Sequence, residues 1–262
     1  MTSMERNQLA YVRALCETTG ARFVQEDGAM VSYSNDPNGA ASIYNCRFDP
    51  LTFQTQVNNV LRRCQEERQC ANWSIGPSAT PPGLAKFLRN NRRMMGPMYL
   101  PEMQMHLKDF EGPVPKNASL LKDWDTVKEE GFPGLFWVPR AGRAKYLETA
   151  KAIGKRPDIR LAIVHIDGVL TTSATMFMAD GIAGIYDVVT KAEHRRKGGA
   201  RAVLQLLLTT ARDEGCHTAA LISHKRSVSV YHHVGFRETG MFTSMYYSRT
   251  RMEEDAIQSG LR

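Results

Sequence analysis

From Glu5 to Thr18 the apolar side chains Leu9, Val12, Leu15 and Cys16 recur at the spacing of one helix face, which predicts an amphipathic first helix. Short β-rich runs follow at Arg22 to Gln25, Met30 to Tyr33 and Ser42 to Phe48. The turn-formers Asp27-Gly28 and Asn35-Asp36-Pro37-Asn38-Gly39 separate them, so three strands are expected. The pattern predicts a second helix over Leu51 to Glu67 and a strand over Ala71 to Ile75. A third helix, opened by Pro81-Pro82, runs through Leu84, Phe87 and Leu88. Met94 to Leu107 reads as strand again, interrupted by Pro97 and Pro101.

Two prolines and a glycine in Gly112-Pro113-Val114-Pro115-Lys116-Asn117 mark the best linker in the chain. Residues 112–118 are therefore read as a boundary between an N-terminal domain, 1–111, and a C-terminal domain, 119–248, with 249–262 as a tail of mixed charge. Beyond the linker the pattern gives helices near Trp124 to Glu130 and over Arg143 to Ile153. Strands follow over Ile159 to Ile166 and Val169 to Met178, joined by the hairpin dipeptide Asp167-Gly168. A strand over Gly184 to Thr190 then enters a charged, glycine-containing turn. The helix after that turn carries Val203, Leu204, Leu207, Leu208 and Ala211 on one face and stops at Gly215, before a strand over Thr218 to Ser223.

Composition narrows the class. With 262 residues, 42% of them apolar and 23% charged, the chain is a folded protein of one large or two smaller domains. A formal charge of +7 favours anionic partners, and nucleic acid, an acidic membrane surface and a polyphosphate cofactor all fit until the basic residues are placed. Five cysteines, an odd number with no C-x-x-C pair, read as reduced thiols of a cytoplasmic protein and give no metal site. The N-terminal segment is broken by Glu5, Arg6 and Arg13, unlike an export signal, and no uninterrupted apolar run is long enough for a membrane span. The cluster Arg89, Arg92, Arg93 has no helix-turn-helix, zinc-finger or aromatic RNA-binding signature beside it, so a solvated surface is expected there and no nucleic-acid partner.

The basic residues concentrate where they carry chemistry. Between Thr190 and the helix lies Lys191-Ala192-Glu193-His194-Arg195-Arg196-Lys197-Gly198-Gly199-Ala200, so the unit is strand, basic glycine turn, helix, strand. The first turn of a helix leaves backbone N–H groups unpartnered at the positive end of the helix dipole, and a pyrophosphate placed there is stabilised. Glycine at 198 and 199 clears side chains from those amides, and Arg195, Arg196, Lys197 and Arg201 add positive charge.

Arg195-x-x-Gly198-x-Ala200 resembles the Arg/Gln-x-x-Gly-x-Gly/Ala signature of the GCN5-related N-acetyltransferase (GNAT) superfamily. Tyr231-His232-His233-Val234-Gly235-Phe236 is similar to its closing Tyr-x-x-x-Gly-Phe motif. The resemblance covers most of Leu121 to Tyr247. It implies an α+β fold, a mixed, mostly antiparallel sheet flanked by helices, and acetyl-CoA as co-substrate held by the turn. It also implies an acceptor that is a primary amine of a small molecule or protein. Trp73-Ser74-Ile75-Gly76-Pro77, Pro82-x-Leu84 and Pro101-Glu102-Met103 resemble a subgroup whose N-terminal half is a degenerate, cofactor-free copy of the same fold. A homodimer is compatible with the resemblance.

On that resemblance the backbone near Val189 would polarise the thioester carbonyl, Val188 and Thr190 would pair with the pantetheine arm, and the Tyr231 hydroxyl would protonate the departing sulfur. His224 stands where many members have an asparagine that touches the cofactor, with Ser227 three residues on. The histone-modifying branch has a catalytic glutamate where this chain has Gly184, a departure that counts against histone acetylation. Asp187, Tyr186, His165 or a chain of waters could serve as the base instead. A catalytically silent CoA-binding module is the competing reading.

Overall fold

The computed structural model describes every residue except 37, 38, 93, 109, 114, 130, 136, 137, 139 and 248–262. Arg93 of the arginine cluster and the tail 249–262 thus lie outside the described residues. The chain divides into two compact units. Met1–Glu5, Val12–Pro101 and the described residues from Gly240 onward form the first, while Arg6–Tyr11 and Glu102–Thr239 form the second. Residues 112–118 fall within the second unit, and a short strand starts at Ala118.

Helix α1 (Ser3–Thr19) opens on a reciprocal cap: the Glu5 amide donates to Thr2 Oγ1 at 3.2 Å, and the Thr2 amide donates to Glu5 Oε2 at 2.7 Å. In the first unit, β1 (Arg22–Glu26), β2 (Ala29–Tyr33) and β3 (Ala40–Tyr44) form an antiparallel meander. Helix α2 (Phe53–Glu66) then crosses over to β4 (Cys70–Ile75), which lies parallel to β3. Period-two alternation turns Ala29, Val31, Tyr33, Ala41 and Ile43 inward against Val57, Val60, Leu61 and Cys64 of α2. Helix α3 (Leu84–Arg92) adds Leu84 and Leu88 to that core.

The second unit repeats this order of pairings. The long strand β5 (Met95–His106) enters it at Glu102, followed by β6 (Ala118–Leu120), helix α4 (Arg143–Gly154), β7 (Ile159–Ile166), β8 (Val169–Ala179) and β9 (Ile182–Thr190). β7, β8 and β9 form a meander, helix α5 (Gly199–Asp213) crosses over, and β10 (Thr218–Ile222) lies parallel to β9. In each unit an antiparallel strand closes the row beyond the parallel one: β5 beside β10, and β11 (Arg237–Tyr247) beside β4. A meander, a helical crossover and a parallel fourth strand make the α+β architecture of mixed, mostly antiparallel pairing. Val203, Leu204, Leu207, Leu208 and Ala211 of α5 are buried against Ala162, Val164, Ala174, Met176, Ala183, Ile185 and Leu221.

Two segments differ from the sequence expectation. Of the helix expected over Trp124 to Glu130, whose last residue lies outside the described ones, only Trp124–Thr126 are helical, as one 3₁₀ turn capped by the Asp123 side chain. Ser42 to Phe48 is strand only as far as Tyr44, because Asn45 takes a left-handed φ of 46° and bends the chain away. Among the described residues no helix is long and apolar enough to cross a membrane.

Candidate active site

The site is built where β9 and β10 part. They pair in parallel only from Ile182 with Thr218 to Ile185 with Leu221. From Tyr186 to Thr190, β9 stays paired to β8, and among the described residues no strand pairs its other edge. An unpaired edge carries backbone N–H and C=O groups that seek partners, so an extended polar chain can add there as a strand would. The same stretch holds a β-bulge. Ser173 faces Val189 and Thr175 faces Tyr186, so Asp187 and Val188 together oppose Ala174, with Asp187 at a left-handed φ of 50°.

After Thr190 the chain makes a 3₁₀ turn, Ala192–His194, fixed by the Lys191 amide donating to Thr171 O at 2.9 Å. Arg196 and Gly198 then take φ values of 63° and 81°, which folds the backbone into a concave loop ahead of α5. The first bond of the helical ladder runs from the Ala202 amide to Gly198 O at 3.0 Å, leaving the amides of the preceding turn directed out of the helix end. A concavity of successive main-chain N–H groups at a helix start suits an anion.

The two glycines have different reasons. A Cβ on Gly198 would meet nothing within 4 Å, so the space before those amides is open, and the positive φ favours glycine. A Cβ on Gly199 would sit 2.2 Å from Thr172 Oγ1 of β8: this buried glycine lets the helix approach the sheet. Thr172 also lies 3.1 Å from Thr190 Oγ1, which ties the strand end to the turn.

Arg195, Arg196, Lys197 and Arg201 are exposed around the loop. Arg195 Nε donates to Thr190 O at 3.4 Å, while Arg201 lines a cavity of about 510 Å³ with Gln205, His233 and Gly235. Val189 is buried, and Val188 packs against the core under α5. His224 is exposed directly after β10, and its carbonyl accepts from the Ser227 amide at 2.8 Å, just before α6 (Val228–Val234). Tyr231 of α6 is buried with its ring edge-on to Phe236, 6.0 Å between centroids. Burial pushes its hydroxyl up to about 12. Gly235, at φ 117°, ends the helix and sends Phe236 back into the core.

A second cluster lies on the β9 bulge. Tyr146 of α4 donates to Asp187 Oδ2 at 3.1 Å. Burial raises the Asp187 carboxyl above the usual carboxylate range, opposed by that hydrogen bond, and burial together with the Asp187 charge raises Tyr146. Tyr186 donates to Asn7 Oδ1 at 2.7 Å, and Asn7 Nδ2 donates to the carbonyls of Phe177 and Ile182 at 3.2 and 3.0 Å. A Cβ on Gly184 would lie 1.9 Å from Asn7 Oδ1. Asn7 therefore fills the space a side chain at 184 would need, and no residue but glycine fits without displacing it. Of the base candidates, Asp187 and Tyr186 belong to this cluster, whereas His165 is exposed beside the Asp167-Gly168 hairpin. Sequence reasoning missed Asn7, Tyr11 and Tyr146, whose contacts join segments far apart in the chain. Among the described residues no group of three His, Cys, Asp or Glu side chains could hold a metal.

A parting of parallel strands beside an amide-lined helix start suits an extended ligand ending in a polyanion. Residues 123–236 match the model of the Acetyltransferase (GNAT) family. No curated protein matches the chain. Among solved structures it is similar to a GCN5-related N-acetyltransferase from Kribbella flavida, at 17% identity and a TM-score of 0.66, covering 93% of this chain and 95% of that one. It is also similar to one from Sphaerobacter thermophilus (17% identity, TM-score 0.60, covering 85% and 77%) and to a tandem GNAT protein from the clavulanic acid biosynthesis pathway (14%, 0.59, 84% and 78%). That family match spans residues 123–236, and the likeness to the solved structures is one of fold.

Proposed function

We propose that the second unit transfers an acetyl group from acetyl-CoA to a primary amine of a small molecule or protein, by direct attack in a ternary complex. The observation that supports this most is the parted β9 edge leading into the open amide loop at Gly198. The diphosphate would sit against the amides between Arg196 and Arg201, with Arg195, Arg196 and Lys197 adding charge, and the pantetheine arm would pair along Val188 to Thr190. The amide near Val189 would face the thioester oxygen, where negative charge develops during attack. His224 and Ser227, in the segment between β10 and α6, would touch the arm from its other side.

An aliphatic ammonium with a pKa of ~10.4 must lose a proton before it attacks. Asp187 is the base in this reading: its carboxyl is raised by burial, which brings its proton affinity nearer working pH. Tyr231 would face the departing sulfur as hydrogen-bond donor. The N-terminal domain, 1–111, carries no Arg-x-x-Gly turn before α2, so the diphosphate site belongs to the C-terminal domain in this proposal. All five cysteines are buried free thiols, which supports a reducing, cytoplasmic setting.

One observation favours a silent CoA-binding module: Asn7, not a glutamate, occupies the space at Gly184. Incubation with labelled acetyl-CoA and a panel of primary amines separates the readings. Acetylated product above the uncatalysed rate is expected; saturable CoA binding without product from any amine would favour the silent module.

A further inference from the structure

On the acetyl-transfer reading, we propose that the acceptor binds as an ammonium ion in a cage of Tyr11, Tyr146, Tyr186 and Asp187, so that this enzyme selects cationic amines lacking an anionic group beside the nitrogen. The Tyr11 and Tyr186 rings stack 4.3 Å apart at 26°, and Tyr11 also leans on Phe177, 5.3 Å between centroids. Tyr146 reaches Asp187 from α4, its hydroxyl 3.1 Å from Oδ2. All four residues are half-buried, so each keeps part of its surface in contact with solvent.

Tyr146 of α4 reaches the Asp187 carboxylate on β9, and Tyr11 of α1 stacks on the neighbouring Tyr186. Aromatic walls attract a cation through their ring faces, and a carboxylate among them supplies the opposite charge. Asn7 fixes one wall by accepting from the Tyr186 hydroxyl, and its two bonds to the carbonyls of Phe177 and Ile182 hold it in turn. A carboxylate or phosphate on the carbon next to the amine would be placed against Asp187, and like charge disfavours it.

Asp187 takes one proton from the ammonium, and the nitrogen lone pair forms the bond to the acetyl carbon. The carbon–sulfur bond breaks, and the departing thiolate gains the remaining excess proton of the nitrogen. Asp187 returns its proton to solvent, so ammonium and acetyl-CoA give amide, CoA thiol and one proton.

Without acetyl-CoA, butylammonium cannot be acetylated, so its binding reports the cage apart from catalysis. Calorimetry on the full chain should detect it, with affinity falling about tenfold or more in Tyr11→Leu and little in Tyr11→Phe, which keeps the ring. No binding, or equal affinity in Tyr11→Leu and the wild type, would overturn the cage. So would Tyr11→Phe losing as much as Tyr11→Leu. In a parallel transfer assay butylamine should outrun glycine and aminomethylphosphonate. A preference for either anion-bearing amine overturns the cage while acetyl transfer stands; cation binding with no transfer to any amine leaves the cage standing and overturns the transfer reading.

Discussion

Asp187→Asn is expected to lower kcat/KM for the amine about 10²–10³-fold while raising the melting temperature at neutral and mildly alkaline pH. The two effects have one cause. Burial on the β9 bulge raises the carboxyl above its unfolded value of about 3.9, so the folded state holds that proton more tightly than the unfolded chain. Its stabilising contribution is complete below the unfolded value and is lost as pH rises through the raised folded value. At working pH the wild type carries a poorly solvated carboxylate, and asparagine keeps an acceptor for Tyr146 without the charge. The acid limb of the wild-type kcat/KM profile should lie above the usual carboxylate range, and Tyr146→Phe, which removes the bond that lowers it, should move it higher. Pre-steady-state rates with thermal melts across pH check both parts. Unchanged kcat/KM in Asp187→Asn would return the proton to a water chain.

Tyr231→Phe should cut kcat about 10²-fold or more with an acetyl-CoA Kd unchanged within experimental scatter. With its pKa pushed up to about 12, the hydroxyl keeps its proton throughout the working range. A thiolate of ordinary pKa ~8.5 is too weak a base to take that proton outright, so Tyr231 acts by hydrogen-bonding the sulfur as charge grows on it. Such a donor is used in the transition state and not in the ground state, which is why the loss belongs to kcat. Phenylalanine preserves the edge-on packing with Phe236, so stability should change little. A weakened Kd with normal kcat would make Tyr231 a binding residue.

Local patterns disclosed most of this fold because its second unit is made of local signals. The period of α5, the Asp167-Gly168 hairpin and the glycine stop at Gly215 each act within a few residues. The turn at Gly198 was legible for the same reason. β11 was not: Phe242, Met245 and Tyr247 are buried in it but do not alternate strictly, and its partner β4 comes from the other end of the chain. The reason for Gly199 also escaped the sequence, since Thr172 lies on a different strand. Asn7, Tyr11 and Tyr146 meet Gly184, Tyr186 and Asp187 only once three elements have packed, and no spacing within one segment encodes that meeting. The absent glutamate at 184 was visible; what fills its place was not.

The central claim is that main-chain amides between Arg196 and Arg201 hold a diphosphate. Comparing CoA with pantetheine, which keeps the arm and thiol but has no diphosphate, tests it directly by calorimetry. Saturable CoA binding is expected, with an affinity for pantetheine lower by about 10²-fold or more and a salt dependence seen for CoA alone. Equal affinity for the two, or no heat from CoA, would contradict it.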